Sequence, residues 1–171
     1  MKIEFGNILD VQRGIIVQGC NARGRMDRGV AKQVRDVYPE IFGPYAAHCR
    51  AQDLRSILGQ ITAVEVKPDL FVVNAITQLD YGKEYETVRF VNYRAVADAF
   101  ERVRELAIGN NLPVHYPQIG AGRGGGDWSV ISSIIAGVLD RMDEVPELGA
   151  EWLDRPVTVF KRVEHTLWLA E

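Results

Sequence analysis

Tyr116-Pro117-Gln118-Ile119-Gly120-Ala121-Gly122-Arg123-Gly124-Gly125-Gly126-Asp127-Trp128 places five glycines in the seven positions 120–126. An extended stretch, Pro113 to Gln118, leads into it, and a strongly periodic helical stretch, Trp128 to Met142, follows. A glycine in regular structure costs roughly 0.5–1 kcal/mol against alanine, so five together signal a backbone requirement. Glycines let main-chain N–H groups converge in a concave nest, and the N-terminal end of the next helix adds partial positive charge. Both favour a bound anion, typically phosphate. Asp127 is placed to N-cap the helix and Trp128 to anchor it in the core.

On either side of this strand, loop and helix, extended and helical periodicities alternate, the pattern of a sheet covered by helices. Six strands are predicted: Lys2 to Phe5, Gly14 to Cys20, Gln60 to Val66, Leu70 to Thr77, Pro113 to Gln118 and Pro156 to Val163. Ile15-Ile16-Val17 and Leu70-Phe71-Val72-Val73 are continuously apolar, as strands buried on both faces are. Helices are predicted over Gly29 to Tyr38, Glu40 to Gln52, Val88 to Ala107 and Trp128 to Met142, with Gly109-Asn110 as the left-handed stop of the third. Asp143 to Pro156 reads as a surface loop.

A second glycine-bearing segment follows the second strand: Gly19-Cys20-Asn21-Ala22-Arg23-Gly24-Arg25-Met26-Asp27-Arg28-Gly29. Open α/β sheets bind ligands at the carboxyl ends of their strands, so two such loops point to one shared cleft. Asn21 is either a turn former or an amide suited to a pair of ribose hydroxyls. The spacing Gly120-x-Gly122-x-x-Gly125 also fits a dinucleotide fingerprint, but no second strand ending in an acid stands about 20 residues on. No Lys-Ser/Thr follows the glycines, which excludes a Walker-type loop.

The 171 residues are 47% apolar and 25% charged, enough for one core, and a single domain over residues 1–171 is expected. The formal charge of −3 argues against a broad nucleic-acid surface. The apolar run Ile134 to Leu139 is far short of the roughly 20 residues of a membrane span, and the start Met1-Lys2-Ile3-Glu4-Phe5 has no signal-peptide pattern. No membrane association and a cytoplasmic location are therefore expected. Cys20 and Cys49 have no metal-ligand or redox spacing and read as reduced thiols. No metal and no cofactor are predicted.

Phe5-Gly6-Asn7-Ile8-Leu9, Gly19-Cys20-Asn21 with Gly29-Val30-Ala31, Gln78 to Gly82, and Ile119-Gly120-Ala121-Gly122 through Asp127-Trp128 together resemble the macrodomains, which bind ADP-ribose. The subgroup they are most similar to holds the ADP-ribose 1″-phosphate phosphatases and the terminal ADP-ribose glycohydrolase of glutamyl-protein adducts, with phage-encoded relatives. The resemblance implies an α/β fold, a three-layer α/β/α macrodomain around a central, mostly parallel, mixed sheet of six strands. It implies that Gly120, Ala121, Gly122, Arg123, Gly124 and Gly125 hold the diphosphate. Asn21, Gly29, Val30 and Gln78 would face the distal ribose. Asn7 and Ile8 would meet the adenine edge, the Asn7 carbonyl accepting from the exocyclic amine. Phe160 would stack on the ring or, alternatively, serve as core.

The sequence departs from the family at the chemistry. Asn7 stands where many macrodomains carry Asp, Gln78 where the glutamyl-adduct glycohydrolase has its catalytic lysine, Gly124 near that enzyme's aspartate, and Ala31 where other hydrolytic macrodomains have Asp. The expected reaction is release of phosphate from ADP-ribose 1″-phosphate, with Asn21 orienting phosphate or water and a general base drawn from Asp80, His115 or Asp127. The expected partners are ADP-ribose, its 1″-phosphate or an ADP-ribosylated protein. Alternatives are a non-catalytic ADP-ribose reader and a nucleotide- or RNA-end-binding module.

Overall fold

The computed structural model describes residues 1–82, 88–146 and 158–170, with main chain alone over 142–146 and 158–162. Its strands are β1 (Lys2–Phe5), β2 (Gly14–Asn21), β3 (Ile61–Lys67), β4 (Leu70–Gln78), β5 (Val114–Tyr116), β6 (Met142–Pro146), β7 (Thr158–Arg162) and β8 (His165–Leu169). Its α-helices are α1 (Gly29–Val37), α2 (Phe42–Ala51), α3 (Tyr93–Asn110) and α4 (Trp128–Leu139). Six strands form a sheet in the order β1-β8-β5-β2-β4-β3. Every neighbouring pair is parallel except β3 with β4. The expected fold class, a mixed, mostly parallel six-stranded α/β/α sandwich, is the one observed.

Period-two alternation along the buried strands builds the two faces. Ile15 and Val17 of β2 join Phe100, Val103, Ile131 and Ile135 of α3 and α4 in one apolar cluster. Ile16 and Cys20 turn the other way and join Val34, Ile41, Tyr45 and Cys49 beneath α1 and α2. Phe100 meets Tyr116 edge-to-face with ring centroids 5.5 Å apart. No helix among the described residues is long and apolar enough to cross a membrane.

Four predicted boundaries are corrected. The sixth strand of the sheet is β8, not Pro156 to Val163: Thr158–Arg162 pairs antiparallel with β6 in a separate ribbon. β8 escapes a hydrophobicity reading because it opens on two buried polar residues, His165 and Thr166. His165 is accommodated by Tyr116, whose Oη lies 2.9 Å from Nδ1, and by Asp140, whose Oδ1 lies 3.0 Å from Nε2. Both partners come from distant elements.

The third helix starts at Tyr93, not Val88, because Asn92 stays extended and its side chain caps the helix, accepting from the Ala95 N–H at 3.0 Å. Val91 continues the three-four spacing without being helical: it bridges to Gln78 of β4 and packs in the core. Gly109 and Asn110 remain in the helix, and the left-handed stop is Asn111, φ 52°. Part of the presumed Asp143 to Pro156 loop is β6, and its remainder, 147–156, lies outside the described residues.

His115 on β5 is half-buried, and its Nδ1 accepts from Trp168 Nε1 at 3.2 Å. Burial pulls its pKa below the ordinary histidine value. The folded chain thus binds this proton less readily than the unfolded chain, so its contribution to stability is full above the unfolded pKa and is lost as pH falls toward the folded one. Thermal melting should therefore drop between about pH 7 and about pH 5. His115→Gln, which retains an acceptor for the indole, should flatten that slope in scanning calorimetry.

Candidate functional site

The carboxyl end of β2, the loop after β5 and the start of α1 enclose a cleft of about 680 Å³. A smaller hollow of about 340 Å³ adjoins it, sharing Val30 and Pro117 as walls. Together they form an elongated groove with a wide end and a narrow end.

The glycine loop is built, not slack. Gly126 N–H donates to Gly120 O at 2.9 Å, and Gly124 O accepts from both Phe90 N–H (2.9 Å) and Val91 N–H (3.0 Å). Asp127 N–H donates to Tyr93 Oη at 3.0 Å. Gly120 adopts φ +75°, and a Cβ there would lie 2.7 Å from Val91. A Cβ on Gly124 would lie 2.5 Å from Gly120 O. These two glycines are demanded by the turn itself. Gly122 is different: a Cβ there would meet nothing within 4 Å, and its backbone is not left-handed.

With the loop pinned in this way, the N–H groups of Gly122, Arg123 and Gly124 find no acceptor among the described residues, and all three residues line the cleft. Across it, α1 begins with Arg28 as N-cap and no side-chain cap bond. The N–H groups of its first turn have no intrahelical partner, and Gly29, Val30 and Ala31 also line the cleft. Arg25, Arg28 and Arg123 complete the wall. Two sets of unpaired amides and three guanidiniums make a site for a polyanion.

The structure brings together most of the predicted binding residues. Asn21, Gly29, Val30 and Gln78 share the wide cleft with Gly120, Gly122, Arg123 and Gly124. Ala121 and Gly125 belong to the same turn but do not line it. Asn7 and Ile8 line the narrow hollow. Phe160 sits in β7 of the ribbon, opposite Glu144, and its side chain lies outside the described residues. The aromatic residue beside Asn7 and Ile8 is Trp168 of β8. Sequence reasoning missed it together with its strand.

The proposed catalytic groups fare differently. The Asn21 side chain is 8% exposed and clamps its own loop: Nδ2 donates to Arg25 O at 2.7 Å, and Oδ1 accepts from Arg25 N–H at 3.2 Å. Tyr45 Oη donates to Asn21 O at 2.5 Å. Asn21 is a positioning residue that shapes the arginine-bearing loop.

Asp80 does not line the cleft. Its carboxylate accepts from Arg23 at 2.8 Å, and that bond holds its pKa below the usual carboxylate range. Asp127 caps α4, accepting from Ser129 N–H at 2.8 Å and Ser129 Oγ at 2.7 Å, which likewise lowers its pKa. His115 lines neither hollow. Among the described residues, the carboxylate that does line the wide cleft is Asp27, 3.3 Å from Arg35 Nη1. Its position beside the loop arginines was visible in the sequence, but not its direction. Cys20 also lines the cleft, and burial pushes its thiol pKa far up, leaving it a poor nucleophile.

No family model matches the chain. A DNA ADP-ribosyl glycohydrolase from Thermus aquaticus is 24% identical over 160 residues, covering 92% of this chain and 41% of that protein. The chain spans about two fifths of the length of the curated relatives it matches. Among solved structures, a macrodomain protein from Streptomyces coelicolor is 25% identical with a TM-score of 0.69, over 98% of both chains. Thermosipho africanus DarTG in complex with ADP-ribose is 12% identical with a TM-score of 0.64, over 99% of this chain and 42% of that one. The fold, with its groove between the β2 and β5 loops, is that of the macrodomains.

The two kinds of glycine should separate on substitution. Gly124→Ala should lower unfolding free energy by about 1–3 kcal/mol, because the methyl group collides with a carbonyl. Gly122→Ala should stay within about 0.5 kcal/mol of the parent in urea titrations.

Proposed function

We propose that the groove binds ADP-ribose through its diphosphate and releases phosphate from ADP-ribose 1″-phosphate. The observation that carries this reading is the trio of acceptor-less N–H groups at Gly122, Arg123 and Gly124, facing a helix start without a side-chain cap. That arrangement suits two adjacent phosphate charges. The narrow hollow beyond Val30 and Pro117 then takes the base, and the wide end near Asn21 and Gln78 takes the distal ribose. The relative's ADP-ribosyl chemistry and the neighbour solved with ADP-ribose support the same ligand.

Three arginines exceed what a diphosphate held by backbone amides requires, and Arg25 and Arg28 stand on the Asn21 loop. This favours a third phosphate at the ribose end. In the proposed reaction, water attacks that phosphorus, the bond from phosphorus to the ribose oxygen breaks, and that oxygen takes a proton from solvent to leave as the hydroxyl of ADP-ribose. Asp27 takes the water's proton, and Arg25 and Arg28 offset charge growing on the phosphate oxygens. Gln78 has neither a nucleophilic amine nor a titrating proton. Chemistry at the sugar carbon through a lysine adduct is therefore not proposed for this chain.

A second reading, a non-catalytic reader of free or protein-linked ADP-ribose, is favoured by Gln78 and by the commitment of Asp80 and Asp127 elsewhere. Phosphate release from ADP-ribose 1″-phosphate separates the two. Asp27→Asn should cut that release by about tenfold or more while ADP-ribose affinity stays within about threefold. No release by the parent protein, with calorimetric ADP-ribose binding intact, leaves the reader.

Binding itself is tested at Gly122. Gly122→Glu should fold normally, since open space receives the side chain, and should lose ADP-ribose binding in calorimetry because a carboxylate then occupies the anion's place. Near-parental affinity in the folded variant overturns the diphosphate assignment. AMP or an oligonucleotide competing as strongly as ADP-ribose would instead mark a general nucleotide-end binder.

A further inference from the structure

The six-stranded sheet ends on β1 at one edge and on β3 at the other. β3 exposes Ala63, Glu65 and Lys67 and keeps Ile61, Val64 and Val66 partly covered. At the β1 edge the apolar residues are the exposed ones: Met1, Ile3 and Phe5 are 52%, 50% and 68% exposed. Ile3 and Phe5 stand opposite Leu167 and Leu169 of β8, so they extend the sheet face that α3 and α4 cover further in. Lys2 and Glu4 point to the other face and form an ion pair there. Gly6 N–H donates to Leu169 O at 2.9 Å, which fixes the alternation along the strand. The peptide groups of Lys2 and Glu4 therefore face β8, and those of Ile3 and Phe5 face outward. Among the described residues, the outward N–H and C=O groups of Ile3 and Phe5 have no partner.

Such an edge is a template for another strand, and a single charge on it would repel a copy of itself. β1 instead carries two opposite charges two residues apart, and these complement a second copy of the same strand. In an antiparallel pair with its twofold axis at Ile3, the two Ile3 residues exchange N–H···O bonds, as their outward peptide groups require. Lys2 then lies directly opposite Glu4 of the second copy, and Glu4 opposite its Lys2, so the two ion pairs close into one ring of alternating charge. On the other face Phe5 lies opposite Met1 of the second copy, flanking the paired Ile3 side chains. An axis at Lys2 or at Glu4 would set like charges against each other, and one at Phe5 would leave Glu4 opposite Gly6. We propose that β1 is a self-complementary interface through which two copies of this chain join their sheets into one. The contact is a single short strand, so the dimer is weak, with a dissociation constant on the order of 10–100 μM. This inference concerns the sheet edge and stands apart from the ligand proposed for the groove.

The experiment is sedimentation equilibrium of the full chain over a range of about 5 to 500 μM, which brackets a weak association. The parent should pass from monomer to dimer across that range. Lys2→Glu, at a largely exposed side chain, sets like charges opposite each other across the axis and should weaken the dimer by about tenfold or more with an unchanged melting temperature. Lys2→Glu combined with Glu4→Lys exchanges the two charges, restores opposite signs across the axis and should return the dimer to within about threefold of the parent. Phe5→Ser removes exposed apolar surface and should weaken association by about threefold or more. A parent that stays monomeric at the highest concentration overturns the inference. So does a dimer that Lys2→Glu and Phe5→Ser leave intact, since it uses another surface, and so does an exchanged pair that stays as weak as Lys2→Glu alone. Calorimetric ADP-ribose binding reads the groove and not this edge, so either proposal can fall without the other.

Discussion

Gly124 O accepts two main-chain N–H groups, those of Phe90 and Val91, and the site depends on that forked bond. It ties the glycine loop after β5 to the segment entering α3, so two loops from different strands behave as one rim. Gly126 N–H to Gly120 O closes the same turn from within. The carbonyls of Gly120, Gly122 and Gly124 are thereby used on structure, while the N–H groups at 122–124 have no acceptor among the described residues. A concavity of main-chain donors open to solvent suits an anion. The packing that demands Gly120 and Gly124 and the open space at Gly122 are consequences of one backbone path.

The opposite wall follows a similar logic with a side chain in control. Asn21 ends β2, buried, and grips both polar groups of the Arg25 peptide while Tyr45 from α2 holds its carbonyl. The loop that reaches α1 is thus shaped from below. It presents Arg25, Asp27 and Arg28 at the cleft, where Asp27 also accepts from Arg35 Nη1 of α1 at 3.3 Å.

Acidic residues illustrate how folding allocates chemistry. Asp80 lies in the loop after β4 and Asp127 borders the glycine loop, yet one is neutralised by Arg23 and the other spent on the first turn of α4. Both carboxyls are held in the charged form and pointed at protein partners, which is the opposite of a base poised to take a proton from a guest. At the other end of the groove the same competition acts on Asn7, whose Oδ1 caps a 3-10 turn by accepting from Leu9 N–H at 3.0 Å. In each case a partner within the protein claims the acceptor.

Local pattern alone determined a good deal: the five strands from Lys2 to Tyr116, the four helices, the glycine loop as a turn with a backbone requirement and its neighbourhood to the Asn21 segment. These follow from periodicity and from the rarity of clustered glycine, both of which are properties of neighbouring residues. Tertiary structure decided the rest. β8 is a strand because His165 finds Tyr116 and Asp140, partners 49 and 25 positions away. Val91 leaves the helix because Gln78 and the glycine loop claim it. Asp27, not Asp80 or Asp127, lines the cleft, and Trp168 lines the narrow hollow beside Asn7 and Ile8. Which polar atom remains unpaired is set by every partner within about 3 Å, and proximity of that kind is written by the fold and not by the spacing of residues along the chain.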